Sequence, residues 1–373
     1  VTGVEINAIF LDLLQGDQRE FAGLDARPEL RLVHDEARSY LTRTTDRYDV
    51  LQMSLIDTWA ATGAGAFTLT ENGLYTLEAW QVFLRVLKPN GIFAVSRWYD
   101  PDNVSETSRL LALGTAALLD QGVSEPSRHM LLVAVDKVAT LLVSLAPFPE
   151  ADLVAVDQAA SAYGFKTLIA PGHAGVAELE RIVASTTRPA LDAAIANEEF
   201  DFSPPTDERP FFFNFLRPMS YLRSLLAGST DSSEQRQGVL TGNLKATSTL
   251  LALFALAFVL VVLVILVPLA RSGLPKMSAT SFAASVLYFA CIGFGFMLVQ
   301  VPFMQRFSVY LGHPTYAVVV ILFSMILCAG IGSYVSDRVP AERSALAVGL
   351  YPLLIAGALY GLTHAIQPVI DRT

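Results

Sequence analysis

Hydrophobic residues are concentrated in long runs in the last third of the chain. Between Lys245 and Arg271 there are 25 residues without Asp, Glu, Lys or Arg, and most of them are Leu, Val, Ala or Phe. A helix needs about 20 apolar residues to cross about 30 Å of hydrocarbon at about 1.5 Å per residue. The pattern therefore predicts four transmembrane helices, at residues 250–270, 279–301, 314–335 and 344–366.

The distribution of charge divides the chain at the same place. Residues 248–373 carry six basic and three acidic residues, a net charge of +3, whereas the preceding 247 residues carry a net charge of −12. Buried helices of a soluble protein are the alternative explanation for the apolar runs, but four consecutive windows of this length disfavour it. We expect three segments: an α/β domain at 1–216, a polar linker at 217–247 and a transmembrane bundle at 248–373.

The first 216 residues alternate patterns of short strands with patterns of helices. Strands separated by helices predict a doubly wound, Rossmann-like α/β domain with a parallel sheet. Residues 88–91 are typical of a turn, and Asp136-Lys137 predicts the turn of a later hairpin. The predicted strands are 1–6, 30–34, 48–53, 92–96, 130–135 and 140–145, and the predicted helices are 74–86, 151–163 and 176–184.

Acidic side chains stand at or just after the ends of three of these strands. They are Glu5, Asp35 and Asp57. Ligands of open α/β sheets bind at the carboxyl ends of the strands, where acidic side chains accept hydrogen bonds from nucleoside groups. The pattern favours a nucleoside site, and solvated turn residues that end strands are the alternative.

The charge and the cysteine and histidine content limit the kinds of molecule that the chain is expected to bind. An acidic first half argues against nucleic acid, which requires a basic face. It is compatible with a cationic substrate such as a polyamine, although simple solubility also accounts for the charge. Cys291 and Cys328 lie in apolar runs and no two histidines are four residues apart, so we predict neither a disulfide framework nor a metal site.

Several segments resemble the spermidine synthase family and its relatives among the S-adenosylmethionine methyltransferases. The resemblance to that family as a whole lies in residues 1–7, 34–38 and 48–50. Residues 69–79, the Thr-Asp-Glu-Arg-Pro-Phe-Phe run at 206–212, and the membrane segment 295–314 resemble bacterial membrane-embedded spermidine synthase-like proteins. The resemblance implies a class I methyltransferase type of fold whose first strand and glycine-rich loop are missing, so we expect the chain to be truncated at its N-terminus.

The resemblance also implies roles for individual residues. S-adenosylmethionine or its decarboxylated form is the expected co-substrate, without a metal. Glu5 would hold its ribose and Asp35 its adenine. Ser54 would lie beside the cofactor, while Glu71 and Tyr75 would lie near the amine substrate.

One departure from the family bears on catalysis. Ser54 occupies the position of the acid that acts as general base in aminopropyltransferases. An amine with a pKa of about 10 must lose a proton before it attacks, and a serine hydroxyl has no useful basicity near neutral pH without a partner base. Asp57 is the remaining catalytic candidate at this strand end.

Two functional hypotheses follow, with an inactive remnant as a third. The first is a membrane-anchored transferase that moves an aminopropyl or methyl group to an amine or a membrane-associated acceptor. The second is a catalytically degenerate ligand-binding or transport protein, supported by Ser54 and by a polar cluster in the membrane region. That cluster consists of Gln300, Gln305, Arg306 and His313.

The expected location is a bacterial inner membrane, crossed several times. Lys and Arg are evenly distributed over the two sides, so charge does not settle the orientation. Binding an adenosyl cofactor requires access to the cytosol, and this places the α/β domain in the cytoplasm. The lipid bilayer and a small amine are the expected partners, and self-association into a homo-oligomer is left open.

Overall fold

A computed structural model describes most of the chain and groups it into two compact units. The first unit comprises residues 1–43 and 275–373, and the second comprises residues 44–274. The described residues are 1–24, 27–55, 70–101, 105–172, 175–197, 200–215, 217, 239–271, 278–311, 314–336, 338, 350, 353–361 and 364.

The first unit begins with a small α/β segment. Strands β1 (Thr2–Glu5) and β2 (Arg31–His34) pair in parallel, with Glu5 opposite His34. Between them lie helices α1 (Ala8–Gln15) and α2 (Arg19–Ala22), and helix α3 (Ala37–Arg43) follows β2. The Asn7 side chain caps α1 by accepting a hydrogen bond from the amide of Ile9.

The second unit is built on a five-stranded mixed sheet. The strand order is β3-β4-β6-β5-β7; β3 and β4 are parallel and the other neighbours are antiparallel. The expected parallel pairing therefore holds in this unit only for β3 and β4, and the sheet is mixed. The tight β5–β6 hairpin, which the sequence predicts, requires antiparallel pairing. The strands are β3 (Tyr48–Met53), β4 (Leu87–Trp98), β5 (Met130–Val135), β6 (Val138–Ser144) and β7 (Lys166–Ile169).

Residues 88–91 belong to β4 and do not form the separate turn that was predicted. Tyr48 pairs with Leu87 and Val50 with Ile92, so the register shifts at this point. The shift is a bulge in which β4 carries extra residues opposite β3. Gly91 is required there, because a Cβ on it would lie 2.7 Å from the carbonyl oxygen of Tyr48.

The core of the second unit lies between the sheet and helices α4 and α5. Trp80 of α4 is fully buried and packs edge-on against Phe93 of β4, with ring centroids 4.9 Å apart. Thr76 caps α4 through its side chain, which accepts from the amide of Ala79. The helices of this unit are α4 (Leu77–Arg85), α5 (Ser105–Asp120), α6 (Glu150–Tyr163), α7 (Ala177–Val183) and α8 (Arg188–Ala194).

Three helices in the described part of the chain are long and apolar enough to cross a membrane. The spanning windows are Thr247–Leu266, Ala279–Met304 and Thr315–Val335, with mean hydropathies of 3.2, 2.1 and 2.4. The predicted fourth span at 344–366 lies partly outside the described residues. Within it, residues 353–361 are described and are helical. The first window lies in α9 (Val239–Val261) and the turn that follows it, and the other two lie in α11 (Ala279–Tyr310) and α12 (Pro314–Ser336). The short helix α10 (Val267–Arg271) comes after the first window.

A π-helical turn, Val262–Leu266, connects α9 to α10. Pro268 lies two residues after the end of this turn; it lacks an N–H, and its ring crowds the carbonyl four residues earlier, that of Val264. A π-turn widens the helix at this carbonyl, so we attribute the irregularity to Pro268.

Candidate functional site

The carboxyl ends of β1 and β2 bring two predicted site residues to one edge of the small sheet. Glu5 is the last residue of β1 and Asp35 directly follows β2. The amide of Asp35 donates to the carbonyl oxygen of Glu5 at 3.1 Å, so the two residues lie side by side. Both side chains are half-buried. Carboxylates at this edge accept hydrogen bonds, which suits the hydroxyl and amine donors of a nucleoside.

Both carboxylates also make local hydrogen bonds. Glu5 accepts from the amide of Asn7 at 2.7 Å. One oxygen of Asp35 accepts from the amide of Glu36 at 2.9 Å, and the other pairs with the Arg43 guanidinium at 2.5 Å. Arg43 therefore fixes the direction of the Asp35 carboxylate, while each oxygen keeps a second lone pair for a ligand.

Ser54 follows β3 at the carboxyl edge of the larger sheet, and its side chain is exposed. Because β3 and β4 are parallel, the ends of both strands lie at this edge. Asp57, the predicted catalytic residue, lies outside the described residues. Its role stays a prediction.

Glu71 and Tyr75 differ sharply in their surroundings. Glu71 is exposed, whereas Tyr75 is fully buried and stacks on Phe212 with ring centroids 4.6 Å apart. The Tyr75 hydroxyl accepts a hydrogen bond from the Arg97 guanidinium at 3.3 Å. Tyr75 is therefore part of the buried packing of the second unit. Of the two predicted amine-side residues, Glu71 is the one that is accessible to a solute.

An ion pair that the sequence pattern did not predict lies beneath Tyr75. Arg97, near the end of β4, donates from Nε to Glu106 of α5 at 2.6 Å, and the two side chains are only 2% and 6% exposed. The guanidinium also lies over the Phe213 ring, 4.7 Å from its centroid. An arginine after a mainly apolar run in β4 was the available signal in the sequence. Its partner and the aromatic residues around it are set by tertiary packing.

A second buried arginine holds the segment 201–215, which we call the strap. The amide of Asp201 donates to the carbonyl oxygen of Phe215 at 2.8 Å and closes the base of the strap. Arg109 of α5 enters the strap, and its guanidinium lies 4.9 Å from the centroid of the Phe215 ring. Its nitrogens donate to the carbonyl oxygens of Ser203, Phe211, Phe212 and Asn214 at 2.8–3.2 Å.

Burial changes the acid–base behaviour of this arginine and of the acid next to it. Desolvation lowers the pKa of Arg109 to about 10, partly offset by Asp201, so the guanidinium stays charged at neutral pH. Burial alone would raise the pKa of Asp201, but hydrogen bonds from Ser203 and the charges of Arg109 and Arg209 outweigh it. The net effect lowers the pKa of Asp201 below its ordinary value of 3.8.

The remaining predicted groups add little to the site. Gln300 is half-buried in α11 and its side-chain amide donates to the sulfur of Met304 at 3.7 Å. The side chains of Gln305, Arg306 and His313 lie outside what the structure describes. Among the described residues, no group of three or more His, Cys, Asp or Glu side chains is arranged to hold a metal ion.

Similar proteins were found among solved structures only; no protein-family profile and no curated protein matches the chain. A spermidine synthase from Thermotoga maritima is 14% identical, with a TM-score of 0.29 over 40% of this chain and 47% of its own. A probable spermidine synthase from Corynebacterium glutamicum is 16% identical, with a TM-score of 0.35 over 50% and 61%.

A spermidine synthase in complex with the transition state analogue AdoDATO is 14% identical, with a TM-score of 0.27 over 40% of this chain and 46% of its own. The chain thus spans between 46 and 61% of the length of these proteins. The likenesses are distant and partial.

Proposed function

We propose that the chain is a membrane-anchored, spermidine synthase-like transferase. Its co-substrate is S-adenosylmethionine or decarboxylated S-adenosylmethionine, and it transfers a methyl or an aminopropyl group to an amine or a membrane-associated acceptor. The observation that carries the proposal is the placement of Glu5 and Asp35 side by side at the ends of parallel strands. Three helices with the length and composition of membrane spans support the anchoring.

The proposed chemistry makes specific demands on the protein. The acceptor nitrogen attacks the carbon attached to the sulfonium, the carbon–sulfur bond breaks, and the nitrogen loses a proton. Ser54 supplies no base at the end of β3, so proton removal falls to Asp57, as the sequence predicts, or to solvent. Glu71 is exposed and its carboxylate suits a cationic amine.

Calorimetric titration of the full chain, purified in detergent, tests the proposal. The ligands are S-adenosylmethionine, its decarboxylated form and methylthioadenosine, and the variants are the wild type, Asp35→Ala and the control Asp157→Ala on α6. We expect the wild type and the control to bind at least one ligand and Asp35→Ala to lose at least tenfold in affinity, about 1.4 kcal/mol. Equal affinity in all three proteins would remove Asp35 from the site, and no binding to the wild type would refute the transferase proposal.

A degenerate ligand-binding or transport protein is the second candidate. Ser54 favours it, because the first residue after β3 carries no carboxylate for catalysis. Binding of the adenosyl ligands without any transfer to putrescine or spermidine would support this candidate over the transferase.

A further inference from the structure

The strap makes close contacts with residues 70–78, which contain the predicted amine-side residues Glu71 and Tyr75. Two backbone hydrogen bonds join the segments: the amide of Asn72 donates to the carbonyl oxygen of Pro210 at 2.7 Å, and that of Leu77 to Pro205 at 2.9 Å. Tyr75 stacks on Phe212 of the strap. The strap thus pairs with residues 70–78 at both ends and in the middle.

Asp207 connects the strap to the beginning of α4. Its carboxylate accepts from the Thr76 hydroxyl at 2.7 Å, and its amide donates to the Glu78 carboxylate at 3.0 Å. Thr76 is fully buried and is also the N-cap of α4. A carboxylate at a helix N-terminus is stabilised by the partial positive charge there, so Asp207 reinforces the cap from outside the helix.

The strap is in turn fixed to the body of the second unit. Arg109, which projects from the buried helix α5, donates to four carbonyl oxygens of the strap and is 4% exposed. A buried guanidinium with this many acceptors cannot move without leaving its charge uncompensated. Residues 70–78 are therefore held against a rigid support, although Glu71 itself faces the solvent.

From these contacts we infer that Asp207 is a positioning residue: through the Thr76 hydroxyl it fixes segment 70–78 and thereby sets where an amine meets Glu71. Arg109 is the anchor that keeps Asp207 in place. The assignment of this segment to the amine rests on the proposed function. The position of the segment itself does not, and it is measurable without any ligand.

Hydrogen exchange on the full chain in detergent measures how firmly segment 70–78 is held, independently of whether the segment binds an amine. We expect Asp207→Ala to speed exchange of the amides in peptides covering 70–78 about tenfold, because the outer support of the cap is lost. Asp207→Asn keeps an acceptor oxygen for Thr76 and should restore slow exchange. Asp157→Ala, which removes an exposed carboxylate on α6, serves as the control and should leave these peptides unchanged.

The outcomes are distinct. Unchanged exchange at 70–78 in Asp207→Ala would overturn the inference, as would an equal rise in the β5–β6 hairpin, which would indicate general destabilisation. Titration with putrescine and, separately, methylthioadenosine then tests the amine side. If Asp207→Ala binds putrescine more weakly and methylthioadenosine as tightly as the wild type does, the amine-positioning role is supported. An equal loss of affinity for both ligands overturns that role. If the wild type binds neither, the proposed function fails, while the exchange result still decides whether Asp207 positions the segment.

Discussion

At the scale of single residues, the buried pair Arg97–Glu106 has the largest predicted effect on stability. Its guanidinium and carboxylate are 2.6 Å apart and nearly excluded from solvent. Glu106→Gln leaves the arginine charge buried without its counterion, so we expect a loss of about 3–5 kcal/mol. Thermal unfolding of the detergent-solubilised chain measures this as a lower midpoint.

The exposed pair Lys88–Asp49 provides the matched control. Its nitrogen and oxygen are 2.8 Å apart, but the side chains are 47% and 79% exposed. Asp49→Asn should cost less than about 1 kcal/mol, since water screens the pair. The double variant Arg97→Met/Glu106→Leu should recover part of the loss, because two apolar side chains need no counterion. Equal effects of Glu106→Gln and Asp49→Asn would contradict the burial argument.

Asp201 gives a stability effect that depends on pH. Its folded-state pKa is lowered, so its ionised form stabilises the fold above the ordinary pKa of 3.8, and this contribution is lost as the pH falls through the folded-state value. Asp201→Asn should therefore reduce the free energy of unfolding at neutral pH by about 1–3 kcal/mol, which lowers the unfolding midpoint. The difference from the wild type should shrink below about pH 4.

Unfolding midpoints of the wild type, Asp201→Asn and the exposed control Asp157→Asn over this pH range check the prediction. A difference between wild type and Asp201→Asn that stays constant with pH would show that the charge of Asp201 contributes nothing.

The sequence predicted the ends of individual strands better than it predicted which side chains contact each other. The strand ends at Glu5 and Asp35 follow from nearby patterns, and the structure places both residues at one sheet edge. The contacts of Arg109 with the strap join residues 94 to 105 positions apart in the chain, a separation at which no periodicity carries information. The same holds for Asp207 and Thr76, which are 131 positions apart.

At the scale of elements, the two sheets should differ in stability. In residues 1–43 only Leu11 and Leu41 are buried among the described hydrophobic residues, while Ile9 and Phe21 are 77% and 91% exposed. Strands β4, β5 and β6 are instead largely buried and paired on both sides. Amides of β1 and β2 should exchange with solvent at least tenfold faster than those of the central strands.

Hydrogen exchange followed by peptide mass spectrometry measures this difference in the intact chain. Equally slow exchange in β1 and β2 would show that contacts beyond the described residues protect them.

The strands and helices also show which sequence signals are enough to predict an element. The β5–β6 hairpin was predicted, because two apolar strand patterns flank a short polar turn, in which Asp136 has a φ of 48°. The shift within β4 was not, since Lys-Pro-Asn-Gly has the composition of a turn and only pairing with β3 makes it a bulge. Helix α4 begins at Leu77 and not at residue 74, because Thr76 is its cap.

At the scale of the whole molecule, the three candidate spans and the proposed cytoplasmic location together predict a topology. If residues 44–217 lie in the cytoplasm, crossing at 247–266 places Ser278 outside, and crossing at 279–304 returns Leu311 to the cytoplasmic side. Single cysteines at three exposed positions test this: Ser161→Cys on α6, Ser278→Cys before α11 and Leu311→Cys after it. The background is Cys291→Ala/Cys328→Ala, which removes both native thiols.

A membrane-impermeant maleimide added to intact bacterial spheroplasts should label Ser278→Cys alone, and permeabilised spheroplasts should label all three. Labelling of Ser161→Cys and Leu311→Cys without Ser278→Cys would reverse the orientation and separate the proposed site from cytosolic adenosyl cofactors. Equal labelling of Ser161→Cys and Ser278→Cys in intact spheroplasts would show that the intervening helix does not span. The charge tally is even on the two sides, so the orientation depends on the cofactor argument alone, and this experiment tests that argument independently of any catalytic assay.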